Sequence, residues 1–533
     1  MKKRYLLVLP ALALMVSCKP EISEKIDSNT YYPGKADFSS YVAIGNSLTA
    51  GYMDGTVYKS GQSNSFPAIL AGQFKVVGGG EFTQPSFADD VNDVGGLLFN
   101  GVGNPSFKTK MIINMSTGGP ENIKGESTIE VFKQQKTAYH NAGVPGAKTF
   151  HVVAPGYGSM AGLAVGKANP YFVRTATSEN ATVLGDALSL EPTFFTNWIG
   201  ANDVLSYATS GGEGVDQNEV GGLDPSKYGG NDITHVGVFQ KVYGDITNAL
   251  TANGAKGVLA TVPDVTAIPF FTTVPYNPLT PELIGVENID KLNGLIGMFK
   301  VILSSQGQGD RFQLISKEAA NPLLIQDKTL ADMSPVLEYG ITQAVASGQF
   351  PIELTPAQIK MIAMSFGQAR HATAKDLMLL TSKSQIGASL PVSTGSPVMD
   401  ALLKKGVSFP IGDEFVLNTV EQQKVKTATV AFNTIIKQVA ASKDLAVADM
   451  NDLLNKAVAG LRVEDGQIYT ADYFKGMGNL NTVMFSLDGV HLNQRGYAFI
   501  AAEILRVINK HYEASIPLVN PAVYPGPVLL PTN

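Results

Sequence analysis

Five short apolar runs alternate with longer amphipathic stretches, and this alternation constrains the fold more than any other feature of the chain. The runs lie at 40–45 (SYVAIG), 149–153 (TFHVV), 193–199 (TFFTNWI), 257–262 (GVLATV) and 445–449 (LAVAD). Each is short for a helix and sits among turn-forming residues, which is the pattern of a buried strand. Helical patterns run over 239–250, 421–441 and 495–512, and another starts at 65 with Pro67 in its first turn. Strands that alternate with helices predict an α/β fold, a parallel sheet with helices on both faces.

Two stretches break the rhythm. Residues 76–138 are Gly-rich and irregular and read as an insertion. Residues 270–412 carry helical patterns at 289–304 and 329–347 within Pro-, Ser-, Thr- and Gly-rich sequence, and read as a large, mainly helical insertion or cap. The apolar side of 289–304 suits a lid over acyl chains, or an ordinary helix covering a core. The last stretch, 515–533, holds five prolines and reads as an extended tail over the surface.

The N-terminus reads as a leader rather than as part of the fold. Lys2, Lys3 and Arg4 precede an apolar stretch at 5–16 that is too short to span a membrane. It ends in Met15-Val16-Ser17-Cys18, which resembles a bacterial lipobox. That resemblance implies a signal peptide over 1–17, a lipidated Cys18 and a polar tether over 18–36. It places the protein in the cell envelope outside the cytoplasm, at the outer membrane if the cell has one. Cys18 is the only cysteine, which excludes an internal disulfide framework and a cysteine metal site. Removing 1–17 takes the net charge from −6 to −9. Such a chain is a poor partner for nucleic acid and for anionic headgroups. The lipid would supply the membrane attachment.

In open parallel sheets, chemistry gathers beyond the carboxyl ends of the strands. Gly45-Asn46-Ser47 follows the first run, and Gly200-Ala201-Asn202-Asp203 follows the third. Asn141-Ala142-Gly143-Val144-Pro145-Gly146 precedes the second, and Asp488-Gly489-Val490-His491 precedes the last helix. Ester hydrolysis needs a nucleophile, a base, a group that orients the base, and donors for an oxyanion. Ser47, His491 and Asp488 suit the first three roles. The Asn202 amide and the Gly146 N–H suit the last.

These blocks resemble the SGNH (GDSL-type) hydrolases, in which they occur in the same order. The resemblance rests on GNSLTAG at 45–51, NAGVPG at 141–146, GAND at 200–203 and DGVH at 488–491, and covers the sheet segments, about half of the chain. It implies a three-layer, flavodoxin-like fold over 37–514 and a catalytic triad of Ser47, Asp488 and His491. It implies an oxyanion hole from the N–H groups of Ser47 and Gly146 with the Asn202 side chain. It also implies carboxylic esters of lipids, short acyl groups or acetylated glycans as substrates, with no cofactor and no metal. An inactive SGNH core that binds a glycan or lipid at the surface is the other reading. Asn46 departs from the family, which usually has Asp there.

The motifs recur elsewhere. Gly229-Gly230-Asn231-Asp232 repeats GxND and Asp232-Ile233-Thr234-His235 repeats DxxH. Both follow a polar loop instead of an apolar strand, so Asp232 is expected to cap the helix that begins near His235. Asp203, Asp264, His140 and His151 are expected in structural roles.

Overall fold

The computed structural model describes residues 30–116, 119–350, 353–390, 400, 403–462, 466–476 and 478–530. The signal segment 1–17, Cys18 and the tether up to residue 29 lie outside the described residues. Five strands form the central sheet: β1 (Tyr41–Gly45), β2 (Asn141–Gly143), β3 (Phe194–Trp198), β4 (Lys256–Ala260) and β5 (Ala446–Ala448). Their order is β5-β4-β3-β1-β2, and every pairing is parallel. This layout is compatible with a flavodoxin-like sheet. Gly45 is in register with Gly143 on one side and with Trp198 on the other.

Every residue of β1 and β3 is buried, so both faces of the sheet are covered. The Phe66–Phe74 helix packs with the Gln494–His511 helix, and Val236–Thr251 packs with Thr419–Lys443. Phe74 meets Phe194 edge-on at 5.6 Å between centroids, and Phe239 stacks on Phe432 at 4.0 Å. Each such ring contributes roughly 1.5–3 kcal/mol through its removal from water.

The second apolar run is not a strand. Thr149–Val153 forms a 3-10 turn, and the neighbouring strand is Asn141–Gly143. Thr149 donates its N–H and its hydroxyl to the buried Asp203 carboxylate, both at 2.9 Å. Lys148 Nζ donates to the Asp232 carbonyl at 2.6 Å. These anchors override the strand preference of Thr149, Val152 and Val153. The true strand has three residues, Asn141, Ala142 and Gly143, and no apolar run marks it in the sequence.

The stretch 76–138 has its own antiparallel pair, Met111–Asn114 with Gly119–Asn122. Phe87, Leu97, Ile129 and Val131 cluster there against Val57 and Val173. The tail does not simply run over the surface. Its Leu529–Leu530 segment pairs in parallel with Ile113 and Asn114 as a third strand. Residues 32–36, read as the end of the tether, also pack on the fold. Tyr32 bridges Ser515, Lys35 N–H donates to the Tyr512 carbonyl, and Phe38 just beyond is buried.

Between β4 and β5 the chain builds a second hydrophobic cluster from the helices Val286–Ser304, Ser334–Ala346 and Pro356–Phe366. Phe299 and Phe366 meet at its centre, 4.6 Å apart. Ile289, Leu292, Ile296, Phe299 and Leu303 all point into this cluster, so the 289–304 helix covers a core of its own. No helix among the described residues is long and apolar enough to cross a membrane.

Where this cluster joins the Thr419–Lys443 helix, Glu421 is buried and accepts the Asn418 N–H at 2.8 Å in a capping box. Burial pushes its carboxyl up to about 8. The Asn418 N–H opposes that rise, while Asp413 and Asp327 add to it and Lys424 counters it. The folded state therefore holds a proton that the unfolded chain releases near the ordinary glutamate value of 4.5. Stability should fall as pH rises from about 4.5 to about 8 and then level off. Glu421→Gln keeps the cap and removes the titration. Its Tm advantage over the parent should grow across that window in thermal melts; parallel Tm profiles would contradict it.

Candidate active site

The site is assembled where the sheet changes direction. The chain passes from β1 to β2 at one edge and then to β3 on the other side of β1. Loops beyond β1 and β3 diverge there and leave a crevice. Asn46 ends β1 and accepts the Leu48 N–H at 3.1 Å, capping the one-turn helix Ser47–Ala50. That turn lies flat on β2. A Cβ on Gly143 would sit 2.3 Å from the Ala50 nitrogen, and a Cβ on Gly45 would sit 2.0 Å from Thr49 Oγ1. Asn141 Nδ2 donates to the Thr49 carbonyl at 3.0 Å and ties the turn down from the other strand.

Ser47, His491 and Asp488 come together across more than 440 residues of chain. His491 Nε2 lies 2.8 Å from Ser47 Oγ, and His491 Nδ1 lies 2.9 Å from Asp488 Oδ2. An ionised carboxylate only accepts, so the Nδ1 proton is directed at Asp488 and Nε2 is left to accept the Ser47 O–H. Burial alone would raise the Asp488 carboxyl. The His491 charge and bond, with the N–H groups of His491 and Val490, outweigh burial and hold it well below the usual carboxylate range. Oδ1 accepts Ser486 Oγ at 3.0 Å, Val490 N at 2.9 Å and His491 N at 2.8 Å, while Oδ2 also accepts Gly55 N at 3.1 Å.

The 485–492 loop is closed by a bridge between Phe485 and Leu492 and by the Ser486 N–H on the His491 carbonyl. Gly489 takes φ +72° in its turn, and its carbonyl accepts the Phe270 N–H at 2.8 Å. A Cβ there would meet Leu380 at 3.0 Å, so the loop requires glycine on both conformational and steric grounds.

Asn202 opens the Asn202–Thr209 helix after β3 and lines a cavity of about 340 Å³ with Ser47 and His491. Its Nδ2 donates one proton to the Ala147 carbonyl at 2.9 Å, which leaves the other for a ligand. Gly146 adjoins Ala147 in a turn closed by the Ala147 N–H on the Val144 carbonyl, with φ +80°. Gly146 does not line that cavity, and its N–H makes no hydrogen bond within the described residues. The Ser47 N–H heads a helical turn and so has no intrahelical partner.

The other polar residues have structural partners. Asp264 accepts the Thr266 N–H and hydroxyl, His140 Nδ1 accepts Thr83, and His151 Nδ1 accepts the Lys148 N–H. Asp203 holds Thr149. Asp232 does not cap the next helix. It accepts Val215 N, Gln217 Nε2 and Gly229 N within its loop, and His235 itself caps Val236–Thr251. Val215 N holds Oδ1, and Gln217 Nε2 and Gly229 N hold Oδ2, so both carboxylate oxygens of Asp232 are engaged within the loop.

Sequence reasoning missed Asp54. Asp54-Gly55 forms a two-residue hairpin turn between Met53 and Thr56, with φ of 54° and 86°. Positive φ at both positions is the type I′ geometry for which Asp-Gly is a strong signal. The turn hands its Gly55 N–H to Asp488. Asp54 itself accepts Leu487 N and Tyr58 Oη at 3.0 Å and donates its N–H to Ser486 Oγ. Burial pushes the Asp54 carboxyl up to about 6, against the pull of the Leu487 N–H and with a further push from Asp488. Tyr52 packs against the His491 ring at 4.5 Å between centroids.

Compared with family models, with curated proteins and with solved structures, the chain matches none of them.

Proposed function

We propose that the chain is a serine esterase of the SGNH (GDSL) type, held in the cell envelope by a lipid on Cys18. The observation that carries the reading is the pair of hydrogen bonds Ser47–His491 and His491–Asp488 beyond the carboxyl ends of the sheet. His491 takes the Ser47 proton as Oγ bonds to the ester carbonyl carbon. The oxyanion is received by Asn202 Nδ2 and the Ser47 N–H, from two residues that line the one cavity. The carbon–alkoxide bond then breaks and the alcohol leaves with the proton from His491. Water, activated by His491, attacks the acyl-enzyme, releases the carboxylic acid and restores Ser47.

A fluorophosphonate probe tests this directly. It should label the wild type at Ser47 and leave Ser47→Ala unlabelled. Equal labelling of both, or of neither, speaks against the esterase and for a binding protein. Asn202→Ala should lower kcat about 10²- to 10³-fold with little change in KM, because the amide acts on charge that develops only in the transition state. A loss confined to KM would remove Asn202 from the oxyanion site.

A further inference from the structure

Beside the Ser47 cavity lies a second one of about 520 Å³, a volume that includes space open to solvent. The two share Leu48, Pro263, Ile268 and Val490, so they adjoin at the residue next to Ser47 and the residue next to His491. The size falls within the range of small-molecule sites.

Fourteen side chains line this second cavity, and all are apolar. The one hydrogen-bond donor among them, the Trp198 indole N–H, is committed to the Thr261 carbonyl at 3.1 Å. A sugar placed here would give up its hydrogen bonds to water and find none in exchange. An alkyl chain loses nothing of that kind. The far wall is the Met450–Val458 helix, whose Met450, Leu453, Leu454 and Ala457 follow the i, i+3, i+4, i+7 spacing of a single face. That face meets a void, and Leu453 and Leu454 stay only partly buried. A third cavity, of about 590 Å³, includes Arg174, Asp186 and Gln135 in its lining and shares no lining residue with the Ser47 cavity.

We propose that the cavity walled by Trp198 and the Met450–Val458 helix is the acyl-chain site, and that the substrates are esters of medium- to long-chain fatty acids. The chain enters between Leu48 and Val490 with its carbonyl at Ser47, and the alcohol part faces out. This inference rests on the esterase reading for its chemistry but not for its binding, so the two can be separated.

Two measurements test it. With p-nitrophenyl acetate, butyrate, octanoate and decanoate, kcat/KM should rise about fourfold for each added CH₂ until the cavity is full. Leu454→Gln should flatten that slope, whereas Leu454→Met should preserve it. The second measurement needs no turnover. Trp198 is the only tryptophan, so its emission reports the cavity alone. A bromine-tagged dodecanoate should quench it saturably in both the wild type and Ser47→Ala, and acetate or an acetylated monosaccharide should not. A flat or falling ester series, or emission unmoved by the brominated acid, overturns the acyl site. Saturable quenching without fluorophosphonate labelling keeps the acyl site and overturns the esterase.

Discussion

Ser47→Ala should abolish nearly all ester turnover, lowering kcat on the order of 10⁶-fold while KM stays close to the parent value. The size of the effect follows from the geometry. Among the described residues Ser47 Oγ is the one atom hydrogen-bonded to His491 Nε2, at 2.8 Å, and Ser47 lines the cavity that Asn202 also lines. Without it His491 has nothing to deprotonate, and only the oxyanion donors and substrate binding remain. Alanine fits the helical turn, so the fold should not change and Tm should match the parent. Steady-state kinetics with a chromogenic ester and a thermal melt check both halves. If most of kcat survives, the nucleophile lies elsewhere.

Asp488→Asn should cost about 10⁴-fold in kcat. The carboxylate accepts five hydrogen bonds and is held ionised by them and by His491. An amide at this place presents N–H₂ where Oδ2 faces His491 Nδ1. The imidazole then turns to the tautomer with its proton on Nε2 and can no longer accept from Ser47. The same NH₂ also faces the Gly55 N–H, donor against donor, so the loop should loosen as well. Linkage gives a second readout. The folded carboxyl is more acidic than the ordinary aspartate value of 3.8, so its contribution to stability is full above that value and is lost as pH falls below it. Melts of the variant should show a shallower acid limb. An unchanged limb together with wild-type kcat would remove Asp488 from the triad.

Much of this arrangement could be read from the chain, and what could not has physical causes. β1, β3, β4 and β5 announce themselves because each lies in a short, mainly apolar run next to turn-forming residues. β2 is three residues long, one of them Gly143, and its place was taken in the sequence by the more strand-like Thr149–Val153. Long-range hydrogen bonds to Asp203 and Asp232 decided that contest, and no local pattern reports them. The residues around Ser47 and His491 were legible because chemistry restricts which side chains can stand there. The support behind them was not. Ser486, Gly55 and Asp54 act through single N–H, O–H and carboxyl groups that meet only once segments 430 residues apart are in contact. The Asp54-Gly55 turn was visible as an Asp-Gly pair, but its task was not.

The contacts at residues 32–36 give the molecule two poles. The chain joins the fold beside Ser515 and Tyr512, at the amino ends of the strands, and Ser47 opens at their carboxyl ends. The Gln494–His511 helix runs from the His491 loop to that junction, and its 18 residues span about 27 Å. Were Cys18 to carry the proposed lipid, the anchor would join the described fold at the pole opposite its cleft. The proposed esterase would then be tethered by the end of the molecule farthest from the site where its ester has to enter.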